Sequence, residues 1–269
     1  MASASGWVPF NLLRHSVSHV IPYPSRERAV TVAPGGRTAY TSGPGGIVPV
    51  DLRTGTTATP ISNGHDCQLI SVGGSGRTLY VAGCGYNGND FKSILPVNVK
   101  TGAAGAPIAV PGGPAAVFVS PDGRTAYVMT NGGDTLAPVD LETGVLGNVI
   151  SVPDGVSELA ISPDGTMAYA TGTTADGIGG GQELSFVTPI DLRTGVAGSP
   201  ITLMHQPYGI VLSPDGRTAY VTGGNEPVGS VGPPTPPDVT SINLVTGRVE
   251  ATFSIPGGAA SIFNGTSSG

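Results

Sequence analysis

Two histidines and one glutamate are the residues of this chain whose types best suit proton-transfer chemistry. His65, Glu158 and His205 are the candidate catalytic residues. Imidazole titrates near neutral pH, and a carboxylate does so when its surroundings shift its pKa, so the three could act as acid and base groups. Such a set favours an elimination, an isomerisation or a hydrolysis. A divalent metal would suit the same donors, although nothing in the sequence requires one.

Five further polar residues are the candidates for ligand contact. They are Arg28, Asp66, Tyr86, Tyr208 and Asn225. In this group Arg28 would clamp an anion and Tyr208 would donate a hydrogen bond. Because a buried carboxylate without a partner is too costly, Glu158 is expected to pair with Arg28 or His205. Ordinary solvated histidines and a channel-filling Glu158–Arg28 pair are the structural alternative.

An internal repeat determines where these residues must lie. Five tyrosines recur at spacings of 40 to 51 residues, each in a matching string and each followed by a Thr-Gly pair. They are Tyr40, Tyr80, Tyr127, Tyr169 and Tyr220. Periods of this length with four short strands per unit are typical of β-propeller blades. We name the strands of a blade A to D, from the central channel outward.

Most of the charge in the chain is explained by the repeat. One set of aspartates occupies A–B hairpin turns, and another ends C strands, where each can accept backbone hydrogen bonds in the next turn. These are Asp122, Asp164 and Asp215 in the first set, and Asp51, Asp140 and Asp191 in the second. Glu158 differs, because the equivalent residue of every other repeat is small or apolar.

The repeat resembles a known family. The string Ser-Pro-Asp-Gly-Arg-Thr-Ala-Tyr-Val at 213–221, continued by Thr-Gly-Gly-Asn at 222–225, resembles the YVTN-type propeller repeat, and the strings at 120–128 and 162–169 are similar. The resemblance covers roughly 7–263 and implies an all-β fold, a single propeller of four-stranded antiparallel blades. Members of that family serve varied roles, so it implies little about activity.

The chain ends predict how the propeller closes. Five complete repeats span about 29–255, and a composite blade would join a C and a D strand from about 7–22 to an A strand at 259–263. Closure of this kind removes exposed sheet edges. We therefore predict one domain over 1–269 with six blades, and five blades as the alternative. Trp7 is expected to pack the closing blade.

Loop lengths indicate which end of the propeller binds. The B–C connections of the second, fourth and fifth blades are long, at about 83–93, 171–185 and 222–238. The D–A connections open onto the same end of the channel as these loops, and they carry His65 and His205. Long loops on a rigid scaffold are where binding residues concentrate. The candidate residues are therefore expected around one channel mouth.

The two cysteines predict a disulfide. Cys67 opens the second A strand and Cys84 closes its B strand, so the hairpin between them would place the two residues opposite each other. A Cys67–Cys84 disulfide indicates an extracytoplasmic or secreted protein. Residues 1–10 lack the charged and apolar regions of a signal peptide, which is therefore absent or already removed.

The composition of the chain limits the classes of binding partner that we expect. A net charge of −6 and a sequence pI near 5.0 exclude nucleic acid as an expected partner, because no basic cluster is present to release phosphate counterions. No run of 18 apolar residues exists, so membrane insertion is not expected. The leading hypothesis is binding of a small molecule, peptide or glycan at the channel mouth. The alternatives are a propeller enzyme using His65, Glu158 and His205, and a structural module of the cell envelope.

Overall fold

The protein is built from β-strands joined by tight turns. The structure, a computed structural model, describes residues 6–7, 10–11, 16–17, 21–22, 29–43, 46–61, 69–82, 92–130, 133–174, 184–224 and 238–254. These residues form strands and turns and contain no helix. Accordingly, no helix long and apolar enough to cross a bilayer is found among them.

Five successive sheets follow a pair of short N-terminal ribbons. In the ribbons, β1 (Gly6–Trp7) pairs with β4 (Ile21–Pro22), and β2 (Phe10–Asn11) pairs with β3 (Ser16–Val17). The first sheet comprises β5 (Ala29–Val32), β6 (Thr38–Gly43) and β7 (Gly46–Asp51). The second comprises β8 (Leu69–Val72), β9 (Thr78–Ala82), β10 (Ser93–Asn98) and β11 (Ile108–Ala109). The third comprises β12 (Pro114–Val119), β13 (Thr125–Thr130), β14 (Thr135–Asp140) and β15 (Ile150–Ser151).

The last two sheets carry the longest strands. The fourth comprises β16 (Val156–Ile161), β17 (Met167–Thr174), β18 (Leu184–Asp191) and β19 (Val196–Ala197), with β20 (Ile201–Leu203) also paired to β18. The fifth comprises β21 (Gln206–Leu212), β22 (Thr218–Gly224), β23 (Asp238–Asn243) and β24 (Arg248–Ser254). Four-stranded antiparallel sheets in this order are propeller blades, which confirms the predicted fold class.

The described residues contain five blades, the number given by the alternative prediction. The N-terminal ribbons lie where the sequence predicts the C and D strands of a closing blade. The A strand predicted for that blade, 259–263, lies outside the described residues. The sixth blade therefore stays a prediction.

Register across the A–B hairpins confirms the alignment of the repeats. Each repeated tyrosine pairs with the A-strand residue nine positions before it, from Tyr40 opposite Thr31 to Tyr220 opposite Val211. The same offset holds in the three blades between them. The tyrosines are therefore equivalent B-strand residues, as the repeat predicts.

The repeated aspartates stabilise turns, as predicted. In the hairpin of the third blade, Asp122 accepts hydrogen bonds from the Ser120 hydroxyl at 2.6 Å and the Arg124 N–H at 3.1 Å. At the end of a C strand, Asp191 accepts the backbone N–H groups of Arg193 and Thr194 at 2.8 and 3.0 Å. The scaffold thus uses both aspartate sets, and neither is available to a site.

The chain divides into two compact units. One comprises Met1–Asn131, Ala137–Asn148 and Gly265–Gly269, and the other comprises Gly132–Leu136 and Val149–Asn264. The first unit has two apolar cores, one between the first and second blades around Leu79 and one beside it around Val128. The second unit has a core between the fourth and fifth blades, where Val187 and Ile242 are fully buried. Burial of apolar faces between adjacent blades supplies the main stabilisation.

Candidate functional site

Three of the predicted site residues lie in the part of the chain that the structure describes. They are Glu158, His205 and Tyr208, and all belong to the second unit. The others, Arg28, His65, Asp66, Tyr86 and Asn225, lie outside the described residues, as do Cys67 and Cys84. For those residues the predicted roles and the disulfide stay predictions.

His205 is paired with a residue that the sequence analysis did not select, Asp238. The Nδ1 atom of His205 lies 2.5 Å from the Oδ2 atom of Asp238. His205 belongs to the two-residue connection between β20 and β21, and Asp238 is the first residue of β23. The strands β21 and β23 pair with β22 on its two opposite sides. The imidazole and the carboxylate therefore meet across the end of β22.

The glycine at the end of β22 makes this contact feasible. Gly223 pairs with Pro207 on one side and with Asp238 on the other. A Cβ atom at position 223 would lie 2.9 Å from the carbonyl oxygen of Gln206, 3.4 Å from Asp238 Oδ1 and 3.5 Å from His205 Cβ. Any side chain here would push the strands apart. The absence of a side chain leaves the gap that His205 and Asp238 bridge.

Asp238 is a buried carboxylate that depends on His205. Its side chain is 9% exposed, whereas that of His205 is 29% exposed. Its second oxygen, Oδ1, is buried and has no hydrogen-bond partner among the described residues. Since burial of an unpaired carboxylate costs several kcal/mol, about 2–7 even for a neutral polar group, the imidazole is its main compensation within this part of the chain.

Three exposed apolar side chains, those of Leu184, Met204 and Tyr208, belong to residues at the same end of the last two blades as the pair. Met204 directly precedes His205 and is 95% exposed, and Leu184 begins β18 one residue beyond the Ser185–Leu203 pair. The ring of Tyr208 lies across Gly224, whose added Cβ would meet its hydroxyl at 2.9 Å. Because Gly223 and Gly224 are successive residues of β22, the predicted ligand contact Tyr208 and the His205–Asp238 pair lie on opposite faces of the strand.

Glu158 lies at the corresponding end of the neighbouring blade, near the start of β16. It follows a register shift in the A strand and pairs with Thr171 of β17. Burial raises the pKa of Glu158 from 4.5 to about 7, and the weak hydrogen bond from the Leu159 N–H at 3.4 Å offsets little of this. At neutral pH the carboxyl therefore exists in both protonation states, which suits an acid or a base.

The structure shows no direct pairing of Glu158 with His205, one of its two predicted partners. No ion pair joins the two residues, and the imidazole is bonded to Asp238 instead. The physical reason is that Asp238 begins a strand of the same blade as His205, directly across Gly223. Among the described residues, no cation lies within ion-pair distance of Glu158; the other candidate partner, Arg28, lies outside them.

Asp238 was missed because the sequence analysis placed 222–238 in a loop. The structure extends β22 to Gly224 and begins β23 at Asp238. The signal was nevertheless present in the repeat. Register places Asp238 at the C-strand position that Gly46, Ser93 and Phe186 occupy in other blades. Asp238 is thus a carboxylate at a position where these other blades carry an uncharged residue. Glu158 was selected by the same criterion.

A carboxylate-bound imidazole can do two kinds of chemistry. With Nδ1 directed at Asp238, the Nε2 atom of His205 can accept a proton or bind a metal ion. Among the described residues, no three His, Cys, Asp or Glu side chains are grouped closely enough to hold a metal. An imidazole bonded to a carboxylate is also the arrangement of a base and its orienting group in nucleophilic and acid–base catalysis.

The comparisons with known proteins agree with the propeller fold. No protein-family model matches the chain, and no curated protein sequence matches it. Among solved structures the chain is similar to hydrazine synthase of Kuenenia stuttgartiensis, with a TM-score of 0.65 and 23% sequence identity over 86% of this chain and 67% of that chain. At this identity the likeness shows the fold alone. The chain therefore has the fold of a β-propeller with four-stranded blades.

Proposed function

We propose that this protein is an exported, YVTN-type propeller that binds a small molecule, a peptide or a glycan at the loop-bearing end of its last two blades. The observation that carries the proposal is the His205–Asp238 pair, in which the imidazole is 29% exposed and the carboxylate is buried. The three blades compared above carry an uncharged residue at the position of Asp238. Met204, exposed directly before His205, adds an apolar surface for a ligand.

The combination of features is that of a binding site on a rigid scaffold. Binding sites combine apolar lining with a few polar groups whose positions are fixed by their surroundings. Here β23 holds Asp238, His205 directly precedes β21, and Met204 is exposed next to His205 in the chain. The connection formed by 225–237 begins and ends at this point, which is where loops contribute specificity.

An acid–base enzyme is the second candidate, and a specific observation favours it. The contact between His205 Nδ1 and Asp238 Oδ2 joins an imidazole base to a carboxylate that can orient it. Glu158, with a pKa raised to about 7, would supply a second proton-transfer group at the same end of the unit. His65 would complete the predicted set.

Ligand-observed NMR with a library of small alcohols, sugars and short peptides tests the binding proposal. We expect compounds that bind the wild-type protein to bind Asp238→Asn at least ten-fold more weakly. Asp215→Asn is the matched control, since Asp215 accepts hydrogen bonds within a hairpin turn and should leave binding unchanged. Equal binding to the Asp238→Asn variant, or no binding to the wild type, would reject a site at this position.

A further inference from the structure

The two ring nitrogens of His205 have different surroundings, and the difference indicates what kind of ligand the site takes. We propose that Asp238 is a positioning residue that holds His205 in the Nδ1–H tautomer, so that Nε2 accepts a hydrogen bond from the hydroxyl of an alcohol or a phenol. This inference rests on the proposed binding function and adds the ligand class and the roles of the two residues.

Burial of Asp238 determines the tautomer. An ionised carboxylate accepts hydrogen bonds and donates none, so its contact with Nδ1 requires a proton on that nitrogen. Asp238 Oδ1 has no partner among the described residues, which leaves the Nδ1–H group as the donor that compensates the charge. The hydrogen bond made by one ring nitrogen decides the protonation of the other. The neutral imidazole therefore carries its free lone pair on Nε2.

The backbone restrains the pair. His205 lies in a two-residue connection between paired strands, and Asp238 begins a strand hydrogen-bonded to β22 and β24. Gly223 lies between the two side chains, with its Cα side facing Asp238 Oδ1 and His205 Cβ. Neither end of the contact lies on a long free loop, so the imidazole is held for its task before the ligand arrives, which reduces the entropy cost of binding.

The tautomer is measured first, by long-range ¹H–¹⁵N NMR at a pH well above the ordinary histidine pKa. The signal of His205 is assigned by its absence in His205→Gln. We expect a protonated Nδ1 and a bare Nε2 in the wild type, and a shift toward the Nε2–H form in Asp238→Asn, whose amide can donate to Nδ1. An Nε2–H tautomer in the wild type would overturn the inference without any variant. An unchanged tautomer in a folded Asp238→Asn would also overturn it.

The ligand class is measured with a matched pair of probes, 4-ethylphenol and its methyl ether 4-ethylanisole, which lacks the hydroxyl donor. We expect 4-ethylphenol to bind at least five-fold more tightly and to move the Nε2 resonance, and we expect this preference to be lost in His205→Gln. Equal binding of the two probes, or binding of neither, would overturn the hydroxyl assignment.

The result separates this inference from the proposed function. Library compounds whose binding depends on Asp238 but needs no hydroxyl would leave the binding function intact and reject the inference. A library without any ligand would reject the binding function, whatever tautomer His205 adopts.

Discussion

At the residue scale, the surroundings of a carboxylate among the described residues decide how it behaves. Asp51, Asp140 and Asp191 are held by backbone N–H groups of the following turn, above all that of the threonine three residues on, and these bonds keep the pKa of each below its usual value. Glu158 has almost no such donor, and burial raises its pKa to about 7. The same chemical group is therefore a permanent anion in the scaffold and a proton carrier at the candidate site.

The raised pKa of Glu158 predicts a pH dependence of stability. The folded protein binds the proton more tightly than the unfolded chain, so this group's contribution is fully present below pH 4.5 and is lost as pH rises through about 7. Glu158→Gln removes that loss. We expect the variant and the wild type to differ little in free energy of unfolding at pH 4, and the variant to be more stable by roughly 1–3 kcal/mol at pH 8.

Denaturant unfolding at the two pH values checks this expectation. Glu142→Gln is the matched control, because Glu142 is exposed in a turn and its substitution should show no such pH dependence. If Arg28 pairs with Glu158, the sign reverses: the wild type would be the more stable protein at pH 8. That outcome would contradict desolvation as the dominant effect and support the Glu158–Arg28 pair.

A recurring irregularity of the A strands matters at the scale of the element. In the third, fourth and fifth blades the register shifts by one residue near the start of the strand, between Pro114 and Ala116, Val156 and Glu158, and Pro207 and Gly209. Such a bulge re-aims side chains at the end of a strand. The sequence did not predict it, because the bulge is a property of backbone pairing and has no fixed residue type at these positions.

The bulge bears directly on the predicted disulfide. In the second blade Leu69 pairs with Ala82, and the same register, if it continued, would place Cys67 opposite Cys84. A bulge like those of the other three blades would instead place Cys67 opposite Gly83. The disulfide therefore requires that this hairpin stay regular or that the cysteines close across the bulge.

We predict that the bridge forms, and thiol titration of the unfolded, unreduced protein checks it. Two protected cysteines are expected, with two thiols appearing after reduction. Removal of the bridge by Cys84→Ser should lower the free energy of unfolding by about 2–4 kcal/mol, the usual range for a disulfide that closes a loop of this length. Two free thiols before reduction would reject both the bridge and the export proposal that depends on it.

At the scale of the whole molecule, repetition made the fold predictable and left the site mostly unpredictable. Tyr169, Asp164 and their equivalents recur because each blade needs the same turn and the same packing, so one chain supplies several copies of the evidence. His205 was selected because it breaks the repeat. Asp238 was not, since its contact depends on how far β22 and β23 extend toward each other, and strand ends are the part of a β protein that sequence patterns predict least well.

The closing blade is the remaining whole-molecule prediction, and Trp7, the only tryptophan, can report on it. If 259–263 supplies the A strand of a blade that includes the N-terminal ribbons, a chain ending at Ser254 should lose the burial of Ile262 and Phe263. We expect about 3 kcal/mol of lost stability and a red shift of Trp7 fluorescence in the native state. A chain ending at Phe263 is the control and should behave as the full-length protein. Unchanged fluorescence and stability in the shorter chain would favour the five-bladed alternative, because a segment that packs against nothing can be removed without cost.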